Sequence, residues 1–147
     1  QLNFIGDISD EVLKEIDVNQ LTNNSNFVGY LSHQKAIEYQ KKSQVLLLLI
    51  PNVENAEGIL TGKLFEYLTA KRPILAIGAA KGDLSVILQN TKAGSVIDYN
   101  DKVSLKAEIL TMYEDFKGNG LEVASKNIDQ FHRKQLTKQL AAVIKSL

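Results

Sequence analysis

Five short apolar segments recur along the chain, and stretches with the apolar spacing of helices separate them. Short apolar runs bounded by turn residues are typical of buried strands, and their regular alternation with helices predicts βαβ crossovers and a parallel sheet. The pattern therefore predicts an α/β fold, Rossmann-like and three-layered, with a mainly parallel sheet of about five strands. The predicted strands are residues 2–6, 27–31, 45–50, 74–78 and 94–98.

The third predicted strand is the most apolar of the five. Residues 45–50 are six consecutive apolar residues, which predicts a strand covered on both faces. No strand pattern follows residue 98. A helical pattern begins near Val103, breaks at residues 118–120, and continues as two predicted C-terminal helices over residues 121–131 and 133–147. Repeats and linker-like composition are absent from the sequence, so we expect residues 1–147 to form a single domain.

Charge and composition exclude several classes of protein. Seventeen basic residues balance seventeen acidic ones, so there is no basic field to attract nucleic acid. The absence of cysteine excludes disulfides, thiolate zinc sites and cysteine nucleophiles. No apolar run approaches the roughly 20 residues that span a bilayer, and no signal sequence opens the chain. We expect a cytoplasmic protein, with membrane association of a full-length form left open.

The loop after the third strand is the first place to look for chemistry. Parallel α/β sheets bind ligands beyond the carboxyl ends of their strands, and the eleven residues 51–61 exceed the usual two to six. The loop ends in Thr61, Gly62 and Lys63 at a predicted helix start, where free amides, a hydroxyl and an ammonium group suit a phosphate. The alternative is a capped helix with a solvated lysine.

Two nucleotide-binding motifs do not fit. Gly58 and Gly62 enclose three residues where a Walker A loop needs four, and Leu64 stands where that loop has its magnesium-binding hydroxyl, which argues against an ATPase. The glycines at 78 and 82 lack the spacing of a dinucleotide fingerprint, which argues against a dehydrogenase.

Glu66 is the most interesting carboxylate. It lies one turn into the helix after the long loop, where it could accept hydrogen bonds from the vicinal hydroxyls of a ribose. The alternative is a surface ion pair with Lys63 three positions earlier. His33 and His132 are the only histidines, and neither has further ligands at suitable spacing, so no metal site is predicted.

Residues 62–76, GKLFEYLTAKRPILA, resemble the donor-site segment of family 4 glycosyltransferases, which have the GT-B fold. Residues 4–7, 26–31 and 94–97 resemble flanking strands of the same C-terminal domain. The resemblance implies a C-terminal donor-binding domain over residues 1–147, without the N-terminal acceptor domain and the opening strand. It also implies sugar transfer from a UDP- or GDP-linked donor, with retention at the anomeric carbon and no metal or other cofactor.

The resemblance assigns roles to the residues around the long loop. Glu66 matches the second glutamate of the family's Glu, seven residues, Glu motif and would bind the ribose. Thr61 and Gly62 match positions whose amides meet the diphosphate, and Lys63 is close enough to add charge. The implied donor-binding residues also include Tyr30 and Leu31, whose backbone would read the base edge, and Gly58.

Gly58 is also where this sequence departs from the family, because the first motif glutamate should fall there. That glutamate contacts the transferred sugar in the family, and the neighbouring Glu57 is the weak candidate to replace it. The catalytic residues are otherwise unknown.

A GT-B enzyme works in a cleft between two domains, so we expect this chain alone to be inactive. Its expected partners are the sugar nucleotide, the N-terminal domain and a saccharide or lipid-linked acceptor, as in polysaccharide biosynthesis. Two other functions stay open: a GT-B sugar-nucleotide epimerase or hydrolase-like relative, and a non-catalytic α/β module that binds a protein through its C-terminal helices.

Overall fold

The computed structural model describes residues 1–118, 120, 121, 123 and 125–146, which form an α/β fold with parallel strands, as predicted. By contact density the chain divides into two compact units, Gln1–Tyr39 and Gln40–Leu147, and the boundary falls within the second helix. The strands are β1 (Leu2–Ile5), β2 (Ser25–Gly29), β3 (Leu46–Leu49), β4 (Ile74–Ile77) and β5 (Gly94–Ile97). The helices are α1 (Asp10–Val18), α2 (His33–Lys42), α3 (Gly62–Ala70), α4 (Asp83–Thr91), α5 (Lys102–Gly118) and α6 (Arg133–Lys145).

The first unit is a parallel β1–β2 pair with its crossover helix. The rings of Phe4 and Phe27 stack at 5.6 Å on neighbouring positions of the two strands. Ser9 caps α1 by accepting a hydrogen bond from the amide of Val12 at 3.4 Å, and Ile16 is the buried residue of this helix. Serine is among the residues most favoured at this position, because its hydroxyl satisfies an amide that has no partner within the helix.

The second unit contains the parallel sheet β3–β4–β5 and the main apolar core. Leu48 of β3 and Ile74 of β4 pack with Leu64 and Leu68 of α3 and with Leu88 of α4, all essentially inaccessible to solvent. Each such side chain contributes about 1.5–3 kcal/mol when it is buried. This packing fixes α3 and α4 on the sheet, and with them the loops that precede the two helices.

β3 is an edge strand of the described sheet, and the prediction that both of its faces are covered is wrong, because the side chains on one face are exposed. Leu46 and Ile50 donate their amides to carbonyls next to and within β4, and no described strand pairs with the opposite edge. Leu47 and Leu49 are 41% and 61% exposed. A run of apolar residues specifies an apolar strand, but it does not specify which neighbours will cover it. For the same reason the five strands form sheets of two and three strands rather than one.

The C-terminal region also departs from the prediction. Within residues 121–131 the described part has no α-helix, and only Ile128–Phe131 form a short 3₁₀ turn. The amide of Lys126 bonds instead to the carbonyl of Thr91 at the end of α4, at 2.8 Å. The second predicted C-terminal helix is confirmed as α6. The predicted break at residues 118–120 is confirmed by the end of α5 at Gly118, whereas Asn119 within it and Leu147, the predicted end of the last helix, lie outside the described residues.

Candidate functional site

The long loop after β3 has a defined backbone. Its amides close successive turns, from Ala56 to Val53, from Gly58 to Asn55, and from Ile59 to Ala56, all at 3.1–3.2 Å. Asn55 has a positive φ of 59°, and the buried Ala56 anchors the 3₁₀ turn Ala56–Gly58. The loop therefore holds the start of α3 in a fixed place.

Gly82, at the N-cap of α4, packs directly against the long loop. A Cβ at this position would lie 2.5 Å from the carbonyl oxygen of Glu57 and 2.8 Å from its Cα. Only glycine permits this approach of the two backbones. The loops that follow β3 and β4 consequently meet at Glu57 and Gly82.

The loop after β5 reaches the same edge of the sheet. The hydroxyl of Tyr99 donates a hydrogen bond to the carbonyl oxygen of Pro51 at 2.9 Å. This bond connects the carboxyl end of β5 with the first residue of the long loop. Segments from all three strands of the second unit are thus joined at the carboxyl edge, where ligands bind in parallel α/β sheets.

The start of α3 has the properties of an anion site. Thr61 is the N-cap with extended backbone, yet its hydroxyl does not cap the helix, and this buried atom has no hydrogen-bond partner among the described residues. Gly62 has open space where a Cβ would stand, and Lys63 is exposed. The first amides of a helix have no intrahelical acceptors, and its dipole favours negative charge. The arrangement can accept a phosphate oxygen.

Glu66 lies half-buried one turn further along α3. The side-chain amide of Gln40 donates a hydrogen bond to Glu66 Oε2 at 3.2 Å. Burial raises the pKa of the neighbouring Tyr67 phenol, and the charge of Glu66 raises it further. The Glu66 carboxylate is therefore positioned by a neutral donor, and it is close enough to a phenol to affect its ionisation.

Most of the predicted site residues lie in one continuous segment of the second unit. The loop and the first two turns of α3 contain Glu57, Gly58, Thr61, Gly62, Lys63 and Glu66. Tyr30 and Leu31 belong to the first unit, where they follow β2 instead of lying within it. Tyr30 is 83% exposed and Leu31 is half-buried. Their predicted contact with a nucleotide base stays a prediction.

Three residues that form contacts with the candidate site were not predicted from the sequence. Gln40 is 26 positions from Glu66, and Tyr99 is 48 positions from Pro51, so no local spacing indicates either hydrogen bond. Gly82 did carry a signal, since a glycine directly before a helix often marks a close backbone approach. Its partner at Glu57 is visible only once the chain is folded.

Within the part of the chain that the structure describes, no group of three or more potential ligands could hold a metal ion. In the same residues no helix is long and apolar enough to cross a membrane. No protein-family model matches the chain, and no curated protein matches it either. The second unit is thus characterised by its own geometry: a joined carboxyl edge with an unpaired hydroxyl, open glycine and exposed ammonium group at one helix start.

Proposed function

We propose that the chain is the sugar-nucleotide-binding domain of a retaining, metal-independent glycosyltransferase of the GT-B type. The observation that supports this most is the buried Thr61 hydroxyl without a partner at the start of α3. A buried hydroxyl that makes no hydrogen bond costs about 1–3 kcal/mol, and rotation of the Thr61 side chain toward the first turn of α3 would give this hydroxyl a bound diphosphate as its acceptor. The likeness of residues 62–76 to the donor-site segment of family 4 enzymes is the second support.

The diphosphate would lie over the first turn of α3. The amides of Gly62 and Lys63 would donate to its oxygens, and the Lys63 ammonium group would balance part of its charge. Gly62 has no side chain to obstruct this approach, and the space beside it is open. The Thr61 hydroxyl would donate to the same group.

The ribose would bind at Glu66. A carboxylate can accept two hydroxyl donors at once, and the hydrogen bond from Gln40 at 3.2 Å favours one orientation of the carboxylate. Tyr30 and Leu31 would contact the base through their backbone. Glu57 would take the sugar-contacting role of the glutamate that Gly58 replaces.

The proposal also covers the domain organisation, the donor and the acceptor. Residues 1–147 would form a single Rossmann-like donor-binding domain, working in the cytoplasm beside an N-terminal acceptor domain. The donor would be UDP- or GDP-linked, and the acceptor a saccharide or a lipid-linked sugar. The chain alone would bind the donor without transferring the sugar, because groups from both domains must surround the reacting atoms.

Calorimetric titration of the chain with UDP and GDP tests the proposal. We expect one of the two to bind, and Glu66→Ala to weaken its affinity by about tenfold, the loss expected when hydrogen bonds to a charged group are removed. The control is Glu114→Ala, which removes an exposed carboxylate paired with Lys117 on α5. Equal affinity of the two variants would overturn the ribose assignment, and no binding of either nucleotide would overturn the donor site.

A sugar-nucleotide epimerase of the same fold is the second candidate. The observation that favours it is Gly58 at the position of the sugar-contacting glutamate. An epimerase changes the sugar nucleotide without an acceptor, whereas a transferase needs one. Chromatography of the products that a protein containing both domains forms, with and without acceptor, separates the two.

A further inference from the structure

The C-terminal helix α6 exposes an apolar stripe to solvent. All thirteen side chains of Arg133–Lys145 are exposed. Leu136, Leu140, Val143 and Ile144 are 47–61% accessible and fall within about 100° of the helix circumference. A helix of this length is marginal in water by itself, so burial of this stripe would stabilise it.

The charges of α6 are all of one sign. Arg133, Lys134, Lys138 and Lys145 are its four cations, and the helix has no acidic residue. The chain as a whole is neutral, so the residues outside α6 carry an equal excess of carboxylates. Positive charge is thus concentrated on one terminal element.

The positions of the lysines favour one kind of partner. Lys134, Lys138 and Lys145 form a strip about 150° away from the centre of the apolar stripe. A protein groove that buried the stripe would leave these lysines in water. A helix lying in a bilayer interface inserts its apolar face about 5–10 Å, and the headgroup layer then surrounds its polar face with phosphates.

We propose that α6 binds the surface of an anionic phospholipid bilayer, lying in the plane of the interface with its apolar stripe inserted. Arg133 lies on the same face of α6 as the stripe, at the first turn, where its apolar stem can extend along the acyl region while the guanidinium reaches a phosphate. The acidic excess of the remaining chain is repelled by the same surface, which directs α6 toward it. This surface is separate from the start of α3 and does not depend on the function proposed for that site.

Co-sedimentation of the 147-residue chain with vesicles tests the proposal. We expect binding to phosphatidylcholine vesicles that contain phosphatidylglycerol, and at least about tenfold weaker partition into pure phosphatidylcholine or in high salt. The triple variant Lys134→Gln, Lys138→Gln, Lys145→Gln should lose a similar factor. Its charge-matched control is Lys14→Gln, Lys35→Gln, Lys106→Gln, which should bind like the parent chain.

The apolar stripe has its own pair of variants. Leu140→Ser should weaken vesicle binding, whereas Val103→Ser, at an exposed position of α5, should not. Circular dichroism of each variant shows whether its helices are retained. Absence of binding to anionic vesicles would overturn the proposal, as would equal binding to neutral ones. A concentration-dependent dimer that Leu140→Ser dissociates would assign the stripe to a second copy of the chain and would overturn it too.

Discussion

Gln40 and Glu66, 26 positions apart in the sequence, form a hydrogen bond at 3.2 Å between the end of α2 and the second turn of α3. Changing Gln40→Glu would replace this donor with a like charge beside a half-buried carboxylate. We expect the free energy of unfolding at pH 7 to fall by about 1.5–3 kcal/mol, the range for a lost hydrogen bond to a charged group. Urea denaturation at pH 7 measures the loss.

The pH dependence of that variant identifies the cause. Two adjacent carboxylates repel only while both are ionised, so the deficit should shrink as the pH falls toward the carboxyl range near 4. Gln44→Glu introduces the same charge at an exposed position and is the control. A deficit in Gln40→Glu that is the same at pH 4.5 and pH 7 would contradict the electrostatic explanation.

Gly82→Ala should damage the contact between α4 and the long loop. The added Cβ would lie 2.5 Å from the carbonyl oxygen of Glu57, so one backbone must move, at a cost of about 1–3 kcal/mol. Gly58→Ala, in the long loop itself, is the matched control, because a Cβ there meets nothing within 4 Å. Thermal unfolding should show a clear decrease for the first variant and little for the second. Equal melting temperatures would mean that the two loops do not depend on each other.

Tyr67 should make the protein sensitive to alkali. Burial and the charge of Glu66 raise its pKa above the ordinary 10.0, so the folded state keeps the phenol proton to higher pH than the unfolded state does. This contribution to stability is complete below pH 10 and is lost as the pH rises through the folded pKa. Tyr67→Phe should therefore flatten the decline in unfolding free energy above pH 10. Tyr113→Phe, which removes an exposed phenol on α5, controls for the loss of a hydroxyl.

The sequence predicted well where strands and helices lie along the chain, and it predicted poorly which of them pack together. Strands β3, β4 and β5 lie within one residue of their predicted bounds, and α3 begins at the predicted helix start, because apolar runs, glycines and caps act over a few residues. The exposure of Leu49 could not be predicted, since it depends on which elements pack over each face of the sheet.

The same distinction applies to the candidate site. The sequence indicated Thr61, Gly62 and Lys63, because a helix start is a local feature. The positioning of Glu66 by Gln40 and the contact of Gly82 with Glu57 depend on contacts between distant segments. A helix was predicted over residues 121–131 because their apolar spacing matched one, whereas the described residues of this range contain no α-helix and the Lys126 amide bonds to the distant carbonyl of Thr91.

Asp101 should make the start of α5 sensitive to acid. Its carboxylate accepts hydrogen bonds from the side chain of Ser104 and from the Ser104 amide at 2.9 Å, and both lower its pKa below the ordinary 3.8. The resulting stability is present above pH 3.8 and is lost as the pH falls through the folded pKa.

Two variants separate the cap from the charge at Asp101. Asp101→Asn keeps an acceptor for the Ser104 amide but cannot titrate, so its stability should change less between pH 5 and pH 2.5 than that of the parent. Asp101→Ala should be less stable throughout the range above pH 3.8, because it lacks the cap. Thermal unfolding across this range measures both, and indistinguishable pH profiles for the parent and Asp101→Asn would refute the explanation.

Thr61→Val tests whether the unpaired hydroxyl exists for a ligand. Valine has the shape of threonine without the hydroxyl, so without nucleotide the variant should be as stable as the parent or more stable by up to about 1–3 kcal/mol.

If a diphosphate accepts from that hydroxyl, the same variant should bind the preferred nucleotide less tightly, by about three- to tenfold for one hydrogen bond. Thr111→Val on α5 removes a hydroxyl that bonds to the carbonyl of Ala107, and it should leave nucleotide affinity unchanged. Urea denaturation and calorimetry on the two variants give both quantities. Opposite effects of Thr61→Val on stability and affinity are expected only if the residue serves binding at the expense of folding, and unchanged affinity would remove Thr61 from the site.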